Sequence, residues 1–281
     1  MDRRGPILIA LLALGLLVGL GLAFHDGHPH RAHAAATRHR HLAHRISAGA
    51  VARRNARTDA RVIARLLRHP SAVRSGTRRR REVALTFDDG PSPYTRRVVR
   101  MLRRLKAAGT FFPIGLQLPR DPGAIAAELR AGFPVGDHTV NHRPLAPLPG
   151  PAQRREIRGQ ARRLHRLGAP WPRLFRPPYG SYDRTTLGIT RSLGMVLVLW
   201  TVDSRDYLRP GRKAIVRTVV SGARPGAIVL MHDGGGDRSQ TIAALPGIVR
   251  RLRQRRYRFV TLPQLLRPRG MALGSGWMSG R

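Results

Sequence analysis

An uncharged apolar run, "PILIALLALGLLVGLGLAF", fills residues 6–24 and gives way to a polar zone that lasts to about residue 81. From Glu82 onward short apolar runs alternate with amphipathic ones. "EVALTF" reads as a strand and "YTRRVVRMLRRLKAAG" as a helix closed by glycine. The alternation continues with "TFFPIG" (strand), "PGAIAAELRAG" (helix), "FPVGDH" (short strand) and "PAQRREIRGQARRLHRLG" (helix). Next come "RLFRPP" (strand), "DRTTLGITRSLG" (helix) and "MVLVLWTVD", a long apolar strand. "GRKAIVRTVVSG" (helix), "AIVLMH" (strand), "QTIAALPGIVRRLRQRRY" (helix) and "RFVTL" (strand) complete the series. Apolar strands alternating with helices predict a parallel sheet covered by helices. The count of about seven units predicts an α/β barrel, incomplete or distorted.

The first 24 residues read as an export segment, either a cleaved signal peptide or an uncleaved membrane anchor. Residues 25–81 read as a His- and Arg-rich linker, a solvated tract in which the irregular histidines leave metal recruitment open. Within it, "AVARRNARTDARVIARLLRHP" predicts a basic helix with Val62, Ile63, Leu66 and Leu67 on one face, lying on a membrane or on the domain. Residues 82–268 then read as one β/α domain, and 269–281 as a flexible tail.

Charge sharpens this picture. The 281 residues carry 52 Lys+Arg against 15 Asp+Glu, a formal net charge of +37, and only Lys106 and Lys213 are lysine. Such a surface attracts polyanions: nucleic acid, anionic lipid or anionic wall polymer. There is no cysteine, which excludes disulfides and thiolate metal sites. No G-x-G-x-x-G or P-loop stretch appears, so a nucleotide fold of those kinds is excluded.

In a β/α barrel the chemistry gathers at the C-terminal strand ends. Those ends hold Asp88 and Asp89, then His138 and His142, then Arg176 and Tyr179, then Asp203 and Asp206, then His232 and Asp233. His138 and His142, four apart, face one way on a helical turn. With a carboxylate from a neighbouring strand they suit zinc or another divalent transition metal. Successive strand residues point opposite ways, so one of Asp88 and Asp89 is free to bind the metal while the other acts as general base. The cation removes their mutual repulsion and lowers the pKa of the water it binds toward ~7.

Five ordered stretches, "TFDDG" (86–90), "HTVNH" (138–142), "RPPYG" (176–180), "DSRDY" (203–207) and "LMH" (230–232), resemble those of the polysaccharide deacetylases with a NodB homology domain, carbohydrate esterase family 4. The resemblance implies a distorted (β/α)7 barrel and hydrolysis of N-acetyl groups on an amino-sugar polysaccharide, peptidoglycan or chitin-like. It implies Asp88 as base and Asp89, His138 and His142 as ligands of a divalent metal, zinc first, with cobalt or another ion open. Arg176 then orients Asp88, the backbone N–H of Tyr179 stabilises the oxyanion, Leu230 lines the acetyl pocket, and His232 is the acid oriented by Asp206. Tyr207 stands where the family usually has tryptophan, and Asp137 where asparagine is common. The "GGGD" after Asp233 reads as a flexible lip, and Asp137 and Asp233 as surface or supporting carboxylates.

The expected partners are the acetylated polysaccharide, the anionic envelope through the basic surface, and the membrane through an uncleaved N-terminal segment. Three rivals fit parts of the sequence. A nucleic-acid binder fits the charge, but aromatics are 5%, no binding module appears and the export segment argues against it. A non-catalytic glycan-binding relative fits the fold, although the base, ligands, arginine and acid are all present. A metal-dependent C–N hydrolase of a small amide or imide fits the site, although export and a basic surface favour a polymer.

Overall fold

The computed structural model describes residues 59–68 and 71–268. The proposed export segment, the His-rich tract and the C-terminal tail lie outside the described residues. Strand β1 (Glu82–Asp88) is buried along its whole length. It pairs in parallel with β2 (Gly109–Phe112) on one edge and β6 (Ala227–His232) on the other. Strand β5 (Val202–Asp203) continues the sheet beyond β6, and β7 (Arg258–Phe259) pairs with the first residues of β1. A second parallel pair joins β3 (Leu174–Phe175) to β4 (Val196–Leu197).

Single-residue bridges connect these sheets. Phe111 bridges Val135 and Asp137 bridges Phe175, so the predicted "FPVGDH" strand is reduced to two contacts spanning β2 and β3. Gly136 lies between them because a Cβ there would sit 2.4 Å from the Phe112 ring. The predicted long strand "MVLVLWTVD" divides into β4 and β5 because it changes partner. Leu199 N–H donates to Val73 O, whereas Thr201 N–H donates to Ile228 O across the other sheet. The result is a distorted parallel β/α barrel.

Helices α2 (Thr95–Arg104), α3 (Pro122–Arg130), α4 (Gly150–Arg166), α5 (Arg184–Ser192), α6 (Arg212–Gly222) and α7 (Ser239–Gln254) cover it. Helix α2 stops short of the predicted terminator: Lys106 turns the chain at φ 49°, and Gly109 opens β2 instead. A short helix, α8 (Leu262–Leu265), follows β7 without having been predicted. Its signal is present as a T-x-x-Q capping box, with Thr261 N–H donating to Gln264 Oε1 at 3.1 Å.

The packed unit reaches upstream of Glu82, into the stretch read as linker. A helix at 59–66, α1, buries Val62 and Ile63. Ile63 joins Phe112, Val198, Val260 and Leu265 in one apolar cluster. Val73 bridges Val198, and Gly76 N–H donates to Gly226 O at 2.8 Å. Of the two surfaces expected for this helix, the domain is the one its apolar face covers. Arg80 and Arg267 both reach the buried carboxylate of Glu82, at 3.0 and 3.2 Å. No helix among the described residues is long and apolar enough to cross a membrane.

Candidate active site

The C-terminal ends of the strands enclose a cleft of about 670 Å³ lined by acids and histidines. Strand alternation predicted opposite directions for Asp88 and Asp89. Asp88 is the last residue of β1, but Asp89 takes φ 73°, and the turn brings both carboxylates to the same cleft. Gly234 makes this turn possible, since a Cβ there would meet the Asp89 carbonyl oxygen at 1.9 Å.

Asp89 Oδ1 lies 3.2 Å from His142 Nε2 and 3.5 Å from His138 Nε2. It is buried and accepts no aligned hydrogen bond. The three ligand atoms lie within 4.8 Å of one another. His138 Nδ1 is 2.7 Å from Arg176 O, an acceptor that fixes the proton on Nδ1 and leaves Nε2 as a lone-pair donor. Two imidazole nitrogens and an orphaned carboxylate oxygen converging on one point fit a divalent transition metal. Burial disfavours charge on Asp89, but the two imidazoles outweigh it and hold its carboxyl well below the usual carboxylate range.

The histidines meet by a different route from the helical turn predicted. Residues 138–142 form an open bend with Thr139 at φ 67° and His142 at φ 55°. Asp137 Oδ1 accepts the Thr139 N–H at 2.9 Å. Glu156, from α4, accepts the N–H groups of Val140 and Asn141 at 3.1 and 2.8 Å and the Asn141 side chain at 2.6 Å. These carboxylates hold a strained loop that sequence spacing alone made look helical.

Asp88 is held separately. The fully buried Arg176 donates from Nη1 to Asp88 Oδ1 at 2.8 Å and to Thr86 Oγ1 at 2.7 Å, and from Nη2 to Leu199 O at 3.2 Å. Its guanidinium lies over the Phe112 ring at 4.4 Å. Burial lowers the arginine's pKa while the Asp88 charge opposes that shift. Asp88 Oδ2 is left facing His138 Nε2 at 3.8 Å.

Across the cleft, His232 Nδ1 is 2.7 Å from Asp206 Oδ1. Asp206 Oδ2 accepts both the His232 N–H, at 2.9 Å, and the Thr241 hydroxyl, at 2.7 Å. Burial works against the imidazolium, but Asp206, with Asp88 and Asp89 behind it, pushes the His232 pKa up to about 9. Burial likewise raises Asp206, and His232 and Thr241 overcome it to hold that carboxyl below its usual range. Tyr179 sits at φ 60° with its ring 4.7 Å from that of His142. No partner for its backbone N–H is found among the described residues. Leu230 and Tyr207 line the same cleft. The Tyr207 hydroxyl donates to Asp203 Oδ2 at 3.2 Å, and its ring stands edge-on to His232.

Residues 75–198 match the family profile described as polysaccharide deacetylase. A peptidoglycan-N-acetylglucosamine deacetylase of Bacillus cereus is 41% identical over 188 residues, 66% of this chain and 88% of that protein. The chain belongs to the polysaccharide deacetylase family. A chitooligosaccharide deacetylase of Bradyrhizobium sp. is 38% identical over 68% of this chain and 92% of its own length. In structure, the deacetylase resembles a peptidoglycan N-acetylglucosamine deacetylase crystallised with 4-naphthalen-1-yl-N-oxidanyl-benzamide. The TM-score is 0.68 at 31% identity, covering 69% of this chain and 92% of that one.

Every site residue expected from the sequence lies at the cleft or directly behind it. The structure adds contacts that the sequence did not mark. Thr86 supports Arg176, Thr241 supports Asp206, Glu156 supports the histidine loop, and Trp200 and Arg238 line the cleft. The "GGGD" segment is pinned: Arg238 donates to the carbonyls of Gly234 and Gly235 at 2.6 and 2.7 Å. Asp137 and Asp233 are both fully buried, and neither lies on the surface.

Proposed function

We propose that this deacetylase acts on peptidoglycan, as an exported protein that meets the wall first, and that its metal is zinc. Support for the substrate comes from the relatives: several of the most similar are peptidoglycan deacetylases, and a strongly cationic protein concentrates on anionic envelope. The chitooligosaccharide relatives make chitin-type oligomers the second substrate to test. Support for zinc comes from the donor set of two imidazoles and one carboxylate, which leaves further positions open. Support for export is the uncharged run at residues 6–24.

The single observation that carries the reading is the Asp89–His138–His142 cluster with Asp88 on one side and His232 on the other. When bound, a divalent cation supplies Lewis-acid polarisation of an acetamide carbonyl and a lowered pKa for water. The chain's residues do the rest. Arg176 occupies Asp88 Oδ1, so Oδ2 is the oxygen that takes a proton from the attacking water. The water oxygen bonds to the acetyl carbon, and the oxyanion that develops faces the unpartnered Tyr179 N–H. One such donor is commonly worth ~3–4 kcal/mol. His232, whose Nδ1 is committed to Asp206, gives the proton on Nε2 to the sugar nitrogen as the C–N bond breaks. Acetate and a free amino sugar leave.

The test is acetate release from peptidoglycan and from chitin oligomers, before and after chelation. Chelation should abolish release, and zinc should restore it with about one ion per chain. Full activity in protein shown to be metal-free refutes the metal reading. Release from chitin oligomers alone moves the substrate and leaves the chemistry intact.

A further inference from the structure

Outside the cleft, the structure has a second groove of about 480 Å³, lined by the segment after β2 and the C-terminal end of α4. Its walls are apolar: Leu116, Leu118, Pro119 and Pro122 from the segment after β2, and Leu167 just past α4. Among the described residues, five large apolar or aromatic side chains are exposed. Tyr179 and Tyr207 line the catalytic cleft, and Leu208 follows Tyr207 in the chain. The other two, Leu116 at 58% and Leu167 at 37%, line this groove. Burying such side chains in water-free surroundings is favourable, so a shared exposed groove marks a contact surface.

The rim is cationic. Arg163 and Arg166 line the groove, and Arg158, Arg162 and Arg166 stand exposed at spacings of four along α4. The only acid in α4, Glu156, is buried and committed to residues 140 and 141. No ion pair of the described residues engages these arginines. A helix whose outer face is arginine and whose end opens on exposed leucines fits an interface that is anionic outside and hydrocarbon within. A hydrophilic wall polymer would use the arginines and leave the leucines wet.

We propose that the groove and the arginine face of α4 form a docking surface for an anionic lipid bilayer. The leucines enter the acyl boundary, and the guanidinium groups meet lipid phosphates at the anionic surface. Leu116 N–H donates to Val140 O and Gly115 N–H to Thr139 O, so the groove shares a wall with the histidine loop. Docking there brings the cleft close to the membrane.

The full chain contains no cysteine, so one environment-sensitive fluorophore can be placed cleanly on Leu116→Cys, or for control on Arg217→Cys in α6. Each labelled protein is mixed with phosphatidylcholine vesicles, with and without phosphatidylglycerol, and with lipid-borne quenchers. The expected result is a blue shift and quenching at 116 only with phosphatidylglycerol, none at 217, and loss of the 116 response in Arg163→Gln/Arg166→Gln. An equal response at both positions shows that the apolar N-terminal run holds the domain without orientation, which overturns the proposal. An unshifted probe at 116, in protein whose binding to a soluble phosphodiester polymer depends on Arg163 and Arg166, assigns the face to wall polymer and overturns it as well.

Discussion

Asp88 and Asp89 are neighbours in the chain with different surroundings. Asp88 gives one oxygen to a buried arginine, while Asp89 turns an unsatisfied oxygen to two imidazoles. Asp88→Asn should therefore keep its metal and lose kcat by ~10²–10⁴, the usual worth of a proton-transfer group. Asp89→Asn should lose metal on gel filtration. Metal analysis beside acetate release checks both, and equal occupancy with equal turnover would overturn the division. Asp233 gives a pH test. Burial first, then the charges of Asp89 and Asp88, push its pKa up to about 7 from an ordinary 3.8. The folded state thus binds this proton more tightly. Its contribution is full below pH 3.8 and fades as pH rises toward 7. Asp233→Asn removes that loss, so its stability relative to wild type should rise between pH 5 and pH 8, on the order of 1 kcal/mol. Urea titrations on chelated protein should show it best, because a cation at Asp89 offsets part of the repulsion. The chemistry-bearing residues were legible because they sit in short runs at strand ends. Thr241, Thr86 and Glu156 were not, because a hydroxyl or carboxylate that supports another residue carries no spacing signal.

At the scale of elements, the alternating pattern located the helices and long strands well, since each buries one face over many residues. It failed where pairing is brief. The two-contact strand at Val135 and Asp137 and the partner change between β4 and β5 depend on distant chain, which periodicity does not report. Helix α1 and its apolar face at Val62 and Ile63 were legible, but its many arginines placed it in the linker when it packs as part of the domain. Ile63 is 1% exposed and packs against β-strand residues and α8. Ile63→Ala should cost about 2–5 kcal/mol, as for other buried aliphatic truncations. A chain beginning at Arg80 also loses the Val73 bridge and the Gly76–Gly226 hydrogen bond. It should melt well below the full chain and lose turnover on soluble oligosaccharide at growth temperature. Unchanged melting would show that this stretch only lies on the barrel.

Over the whole molecule, the chain carries a net charge of +37 while its cleft is rich in carboxylates, and the two respond to salt differently. Exposed charges are screened beyond ~8 Å at physiological ionic strength. The Arg176–Asp88 and His232–Asp206 pairs are buried at 2.8 and 2.7 Å, well inside that distance and shielded from ions. Adsorption of the full chain to purified anionic wall should therefore fall steeply as salt rises. The kcat on a short neutral oligosaccharide should change little over the same range. Because the arginines are spread over several helices, replacing the exposed ones of a single helix by glutamine should remove only a share of the wall binding. Pull-downs and kinetics on the same salt series separate these effects. Wall binding that ignores salt would place recognition in the cleft and remove any role for the net charge. A kcat that falls in parallel with adsorption would mean that surface charge reaches the reacting groups, which the burial of both pairs argues against.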